Sequence, residues 1–173
     1  YKRQVTGEEP KILSLGQMVK EIGGLFKKLD LAYSFHSSKM QSLKDEICQS
    51  LAQLKPKEDT SVIFFSTVTG DKVRFSELQC DYWWKNIRQP VCFEKAIVQM
   101  LEEGYHNFIE VGPHSILSGY VKQIGKQQGI GTEVYPLMKR GDHGDIFIKN
   151  CRRAYLATYS LSQAEEKVDH TVS

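Results

Sequence analysis

The sequence lacks long apolar runs and the compact motifs of several well-known catalytic folds. No stretch of ~18 apolar residues occurs, so we predict no membrane span. There is no Gly-x-Ser-x-Gly elbow, no P-loop, no Gly-x-Gly-x-x-Gly and no His-Glu-x-x-His. The sequence therefore offers no local signature of a serine hydrolase, a nucleotide-binding fold or a zinc protease.

Cysteine is scarce, and its spacing argues against metal binding. The four cysteines are scattered and no two are spaced as CxxC: Cys48, Cys80, Cys92 and Cys151. We therefore expect no metal site and reduced thiols in a cytoplasmic protein. The first residues carry neither an initiator Met nor the apolar core of a signal peptide, which suggests a piece of a longer protein.

Charge is nearly balanced along the chain. The sequence has 23 basic and 21 acidic residues, for a net charge of +2. The pairs Lys139-Arg140 and Arg152-Arg153 are too short for a nucleic-acid stripe, so we predict no nucleic-acid partner. A net charge near zero still allows a local basic patch that binds a small anion.

Helical and strand patterns alternate along the chain. The predicted helices are 15–22, 40–54, a short aromatic helix at 82–84, 93–103, 116–127 and 146–159. The predicted strands are 25–35, 62–65, 108–111 and 134–135. This alternation predicts an α/β fold with a largely parallel sheet, whose chemistry gathers at the carboxyl ends of strands. We expect residues 1–10 to be loose and the polar tail 163–173 to be disordered.

Two histidines lie at predicted strand ends. His36 follows the first strand and precedes a helix for which Ser37 or Ser38 is a natural N-cap. Such a histidine is either a general base facing a cleft or a structural residue at a helix start. His114 lies in a Gly112-Pro113 turn that the following helix explains without catalysis, although its backbone N–H groups can face an anion.

Two further features leave both a structural and a functional interpretation open. Tyr82-Trp83-Trp84 is either part of the core or a stacking platform, and helical spacing favours the core. Arg88 is either a surface ion-pair residue or an anchor for a phosphate or carboxylate.

Four segments, in order and spacing, carry a family resemblance. They are Tyr33-Ser34-Phe35-His36-Ser37-Ser38-Lys39-Met40, Phe65-Ser66-Thr67-Val68-Thr69-Gly70, Tyr82-Trp83-x-x-Asn86-x-Arg88-x-Pro90-Val91-x-Phe93, and Phe108-Ile109-Glu110-Val111-Gly112-Pro113-His114-Ser115-Ile116-Leu117. Together they resemble the C-terminal part of the malonyl/acyl transferase domain of polyketide synthases and animal fatty acid synthases.

The resemblance implies an α/β-hydrolase-like acyltransferase core with an inserted ferredoxin-like subdomain. After a disordered lead at 1–10, residues 11–33 would be the remnant of that insert. Residues 34–128 would be the C-terminal part of the core, residues 129–162 a post-domain linker or helix, and residues 163–173 a polar tail.

The resemblance also implies a mechanism. In the family a serine in Gly-His-Ser-x-Gly attacks an acyl-CoA thioester, and the acyl group then passes to the phosphopantetheine thiol of an acyl carrier protein. His36 matches the catalytic histidine, and the backbone carbonyl of Asn86 would orient its ring. Gly112, Pro113 and His114 form a structural motif near the site. No bound cofactor or metal is implied, and the partners are acyl-CoA, the carrier protein and the remainder of a synthase.

Substrate preference would depend on Tyr33 and Phe35. A Phe before the histidine is typical of malonyl-selective members, because it crowds an α-methyl branch. Tyr33 belongs to the pattern of methylmalonyl-selective members. The resemblance therefore favours malonyl groups without deciding between the two.

One departure from the family pattern limits the activity. The Gly-His-Ser-x-Gly nucleophile, the oxyanion-hole segment and the family's carboxylate-binding arginine are absent from these residues. We thus expect a partial acyltransferase domain that transfers malonyl-type groups only when complete. Two alternatives are a non-catalytic protein that docks a carrier protein or synthase partner, and a hydrolase that uses His36 with another nucleophile.

Overall fold

The chain is a mixed α/β protein, as predicted. The computed structural model describes residue 5 and residues 7–28, 34–57, 61–141 and 144–169, with side chains described as far as residue 157 and at residue 159. In this part of the chain the helices are α1 Glu9–Glu21, α2 Lys44–Ser50, α3 Cys80–Arg88, α4 Phe93–Glu102, α5 Ser118–Gln127 and α6 Gly144–Asp169. The strands are β1 Phe65–Ser66, β2 Asp71–Lys72, β3 Asn107–Glu110 and β4 Glu133–Pro136. Short 3₁₀ helices occupy Ser38–Leu43 and Phe75–Glu77.

The chain divides into two compact units, residues 1–93 and residues 94–173. The described strands form a two-stranded sheet in each unit, and the two sheets differ in the relative direction of their paired strands. β1 and β2 pair antiparallel, whereas β3 and β4 pair parallel. The predicted parallel arrangement is therefore confirmed only for β3 and β4. The turn at residues 67–70 is too short for a parallel crossover, and Gly70 supplies its positive φ of 71°.

The core of the first unit is largely aromatic. Buried Val68, Leu78 and Tyr82 form its centre, and four half-buried residues pack against them: Phe64, Val73, Phe75 and Trp83. Trp84 is also buried. This confirms the core interpretation of the aromatic run over a stacking platform.

The second unit is built around α4 and α5. Its buried apolar residues are Ala96, Ile97, Leu101, Val121, Ile124, Val134 and Ala154. Gly104, at φ 86°, ends the turn after α4, where the Tyr105 N–H donates to the Met100 carbonyl over 3.0 Å. This closure confirms the predicted glycine cap, because a left-handed residue lets the chain turn back over the last carbonyls.

Several predicted elements are shorter or shifted. Residues 25–28 have no regular structure, Phe35 lies in a turn, and residues 29–33 lie outside the described residues. Val62 and Ile63 are 66% and 51% exposed and lie outside β1. Both strand predictions are therefore wrong over these residues, because an apolar run forms a strand only where a partner strand pairs with it.

The helix predictions need smaller corrections. The helix predicted at 40–54 begins as the 3₁₀ helix and ends as α2 at Ser50. α1 starts at Glu9, inside the segment expected to be loose, because Pro10 suits the first turn of a helix. α6 extends to Asp169, into the predicted tail, where Ala, Glu and Lys are good helix formers. In the described part of the chain, every helix is too short or too polar to cross a bilayer.

Candidate functional site: a histidine held by the end of a helix

His36 occupies a strained backbone position. Its φ is 60°, and it is the one non-glycine residue with positive φ among the described residues. This left-handed conformation costs about 1–3 kcal/mol and is concentrated at functional sites in known structures. The backbone N–H of His36 donates to the carbonyl of Ile87 over 2.8 Å, which fixes the peptide in place.

The imidazole of His36 has a defined partner. Its Nδ1 lies 2.6 Å from the carbonyl oxygen of Gln89. A carbonyl only accepts, so Nδ1 must carry a proton, and in the neutral ring Nε2 then keeps its lone pair. The half-buried ring is thus held in the tautomer that a general base requires.

The partner of His36 corrects the prediction of Asn86. Helix α3 contains Asn86, but it ends at Arg88, and Gln89 follows in an extended conformation with φ −85° and ψ 159°. That change of direction turns the carbonyl of Gln89 out of the helical ladder, where it accepts from His36. Pro90 has no N–H and cannot extend the helix beyond this point.

Ser37 begins the 3₁₀ helix but does not cap it with its side chain. Its backbone is extended, with φ −130° and ψ 163°. The Ser37 hydroxyl donates to the carbonyl of Ser34 over 2.6 Å instead. The N-cap position is therefore as predicted, and the expected capping hydrogen bond is wrong. The Ser34–Ser37 bond closes the turn that contains Phe35 and His36.

The two residues expected to select the acyl group are not equally described. Phe35 is 44% exposed in the turn before His36. Tyr33 lies outside the described residues.

The glycine-proline turn of the second unit is organised by Glu110, a residue that sequence reasoning passed over. The Glu110 carboxylate accepts from the backbone N–H groups of Ile116, Leu117 and Ser118 over 2.7–3.0 Å and from the Ser115 and Ser118 hydroxyls. Burial would raise the pKa of Glu110, but these donors lower it to about 2. A carboxylate of the chain itself thus occupies the anion-binding start of α5.

His114 contacts the segment after β4. Its exposed Nδ1 accepts a hydrogen bond from the backbone N–H of Arg140 over 3.3 Å. Gly112 and Pro113 precede it in the bend between β3 and α5. The hydrogen bond thus joins this bend to the segment that follows β4.

The cysteines of the first unit are not all reduced. Cys48 in α2 and Cys80 at the start of α3 form a disulfide, with Cα atoms 5.2 Å apart. The expectation of four free thiols is therefore wrong for this pair. The packing of α2 against α3 brings together two cysteines separated by 32 positions, which the sequence could not reveal. Cys92 and Cys151 are free and half-buried.

Arg88 lies between the two residues whose carbonyls hold His36. Its Nε is buried and has no hydrogen-bond partner among the described residues. A buried guanidinium N–H without an acceptor is unfavourable, so Arg88 does not match a simple surface ion pair. No group of three or more potential metal ligands occurs in the described ranges.

Comparisons with known proteins identify the family of the chain. The family model of the acyl transferase domain matches residues 2–165. Among curated proteins, the chain is 32% identical over 143 residues to mycoketide-CoA synthase of Mycobacterium tuberculosis, covering 79% of the chain and 3% of that protein. It is 30% identical over 131 residues to erythronolide synthase EryA2 of Saccharopolyspora erythraea, covering 75% of the chain and 4% of that protein.

Solved structures show the same fold. The acyltransferase domain from module 8 of the salinomycin polyketide synthase aligns with a TM-score of 0.80 and 25% identity, over 86% of this chain and 35% of that one. The malonyl CoA-acyl carrier protein transacylase of Clostridium perfringens aligns with a TM-score of 0.73 and 24% identity, over 92% and 46% of the two chains. Because the family model covers residues 2–165, the chain belongs to the acyl transferase domain family.

Proposed function

We propose that this chain carries the general-base half of an acyltransferase site in a polyketide or fatty acid synthase. The complete site would move malonyl-type groups from CoA to the phosphopantetheine thiol of an acyl carrier protein. The chain spans only 3–4% of the two synthases named above, so the activity of the whole protein is part of this proposal. The observation that carries it is the 2.6 Å contact between His36 Nδ1 and the carbonyl of Gln89.

The first half-reaction begins with the nucleophile, which the family pattern places in Gly-His-Ser-x-Gly. His36 Nε2 accepts the serine hydroxyl proton as the serine oxygen attacks the thioester carbon. The tetrahedral intermediate collapses, the carbon–sulfur bond breaks, and the imidazolium returns its proton to the leaving CoA thiolate.

The second half-reaction runs in the opposite direction. Nε2 takes the proton of the carrier protein's thiol, and the thiolate attacks the acyl-serine ester. The carbon–oxygen bond then breaks and the serine recovers its proton from the imidazolium. In both halves the Gln89 carbonyl holds the charged ring in one orientation.

We further propose that the segments of the chain correspond to parts of the acyl transferase domain. Residues 34–128 would be the C-terminal part of an α/β-hydrolase-like core, and residues 11–33 the remnant of a ferredoxin-like insert. Residues 129–162 would form the linker or helix after the domain. Tyr33 and Phe35 would line the acyl pocket, and Gly112, Pro113 and His114 would form a structural motif near the site. The enzyme would be cytoplasmic and would hold no bound cofactor.

The decisive experiment compares two proteins. The chain alone, incubated with radiolabelled malonyl-CoA, should form no covalent acyl-enzyme. The longer gene product that contains it should transfer the label to a carrier protein, and His36→Ala in that product should reduce kcat by ~10³-fold or more. Unchanged transfer in the His36→Ala protein would overturn the assignment of the base.

An exposed apolar surface gives some support to the second candidate, a non-catalytic protein that docks a carrier protein or synthase partner. Ile109 and Val111 are 47% and 78% exposed at β3 and just beyond it. Such residues are common at protein interfaces. A pull-down with a carrier protein tests this candidate, and Val111→Asp should weaken capture if this surface is used.

A further inference from the structure

The Cys48–Cys80 disulfide is part of a closed loop that contains His36. From His36 the chain runs through the 3₁₀ helix into α2 and reaches Cys48. The disulfide crosses to Cys80, the first residue of α3. Helix α3 then leads to Ile87 and Gln89, whose carbonyls accept from the two nitrogen donors of His36.

Helix α3 is therefore held at both ends by the segment that contains His36. The disulfide holds its first residue, and the two hydrogen bonds of His36 hold its last turn. Nine residues of α-helix are ~13 Å long, so a tilt at one end displaces the carbonyls at the other.

The backbone conformation of His36 depends on this attachment of α3. A left-handed histidine, at φ 60°, persists only while the surrounding structure over-determines it. The covalent link contributes to that constraint by limiting how far α2 and α3 can separate. When the link is absent, non-covalent packing against α3 and the two hydrogen bonds hold the strained residue at the end of α3.

The disulfide is accessible to small thiols. Cys48 and Cys80 are both only half-buried. Cys80 also lines an open cavity of about 400 Å³, together with Leu51, Ala52, Leu54, Lys55, Pro56, Ser76 and Gln79. This volume admits the end of a dithiol reagent, and the lysine in the lining favours an approaching thiolate.

We propose that Cys48–Cys80 is a thiol–disulfide switch that positions His36. One thiolate of a dithiol reductant attacks one sulfur of the pair, the S–S bond breaks, and the released cysteine thiolate takes a proton. The second thiol of the reductant then resolves the mixed disulfide and frees the other cysteine. The pair gains two electrons and two protons, and the reductant leaves as a cyclic disulfide.

Reduction removes the covalent link between α2 and α3, so the two hydrogen bonds that anchor His36 to the end of α3 open more often. Oxidation by the reverse exchange restores the link. The effect on acyl transfer rests on the proposed function, but the effect on His36 itself does not. The test therefore measures the anchor directly and needs no catalysis.

The test uses the full chain with Cys92→Ser and Cys151→Ser, so that only one cysteine pair can react. Thiol counting should find no free thiol before reduction and two after treatment with dithiothreitol. On reduction, amide hydrogen exchange of His36 should accelerate ~10- to 100-fold, since its N–H depends on the anchor. The Nδ1–H tautomer, read from histidine ¹⁵N shifts, should decrease in population.

The amide of Gly70, which donates to the Ser66 carbonyl in the β1–β2 turn, is the control within the same unit. Gly70 lies within the covalent loop of residues 48–80, but its hydrogen bond is local to the turn that joins the paired strands β1 and β2, so it should keep its exchange rate. Adding Cys48→Ser and Cys80→Ser should reproduce the reduced state. An unchanged His36 amide, or equal acceleration at Gly70, would overturn the proposal. Neither result bears on whether the complete enzyme transfers acyl groups, so the two proposals fail separately.

Discussion

The ring of His36 is oriented by the main chain of Gln89, not by its side chain. Nδ1 of His36 meets the Gln89 carbonyl at 2.6 Å, and the His36 N–H meets the Ile87 carbonyl at 2.8 Å. Both acceptors are groups that a helix end leaves without intrahelical partners. The termination of α3 thus provides the site's orienting groups.

A matched pair of substitutions tests this dependence on the backbone. Gln89→Ala keeps the carbonyl and should leave the Nδ1–H tautomer of His36 unchanged. Pro90→Ala restores an N–H that can extend α3 and draw residue 89 into the helical ladder, which removes the acceptor. Histidine ¹⁵N spectra should therefore show mixed tautomers in Pro90→Ala alone. The same mixture in both variants would contradict the role given to the carbonyl.

Backbone strain at His36 can be measured by comparing two truncations. His36→Ala and His36→Gly lose the same imidazole bond, but only alanine must hold φ near 60° against its Cβ. After allowing for the greater unfolded-state entropy of glycine, we expect His36→Gly to be more stable by about 0.5–1 kcal/mol. Urea unfolding of both variants gives this difference. A less stable glycine variant would show that residue 36 is not strained.

Local signals predicted the parts of the fold that depend on near neighbours. The apolar spacing of α4 and the glycine after it are contained within a dozen residues, and both predictions are confirmed at Leu101 and Gly104. The place of His36 before a helix start could likewise be read from the sequence. Such features need no knowledge of tertiary contacts.

The remaining features depend on contacts between distant residues. The partner of His36 is 53 positions away, and choosing Gln89 over Asn86 requires knowing where α3 ends. Cys48 and Cys80 pair only because α2 packs on α3. The strand predicted at 62–65 depends on a neighbouring strand, and a sequence alone does not supply one.

Glu110 should make the free energy of unfolding depend on pH. Because the pKa of Glu110 in the folded chain, about 2, lies below its ordinary value of 4.5, its contribution to stability is present above pH ~4.5 and is lost as pH falls towards 2. Solvent screening of this partly exposed group reduces the expected loss to about 1–2 kcal/mol. Thermal melts between pH 6 and 2 should show a shallower decline for Glu110→Gln than for the parent chain.

The control for Glu110 is an exposed carboxylate on the paired strand. Glu133 lies on β4, and Glu133→Gln should leave the slope of stability against pH unchanged. Equal slopes for Glu110→Gln and the parent chain would mean that the bonds at the start of α5 do not favour the carboxylate.

The buried hydroxyl pair of the first unit gives the last prediction. The Oγ of Ser66 lies 2.8 Å from the Tyr82 hydroxyl and accepts from the Val68 N–H over 3.0 Å. Tyr82→Phe removes one hydroxyl and leaves the Ser66–Val68 bond intact, so it should cost about 1 kcal/mol. Ser66→Ala leaves two buried groups unsatisfied and should cost about 2–3 kcal/mol.

Combining the two changes isolates the contact between the hydroxyls. Once Tyr82 is Phe, Ser66→Ala leaves only the Val68 N–H unsatisfied, so the double variant should lose less than the sum of the single losses. We expect a coupling of about 0.5–1.5 kcal/mol from urea unfolding of the four proteins. Strict additivity would mean that the hydroxyls of Ser66 and Tyr82 contribute to stability independently of one another.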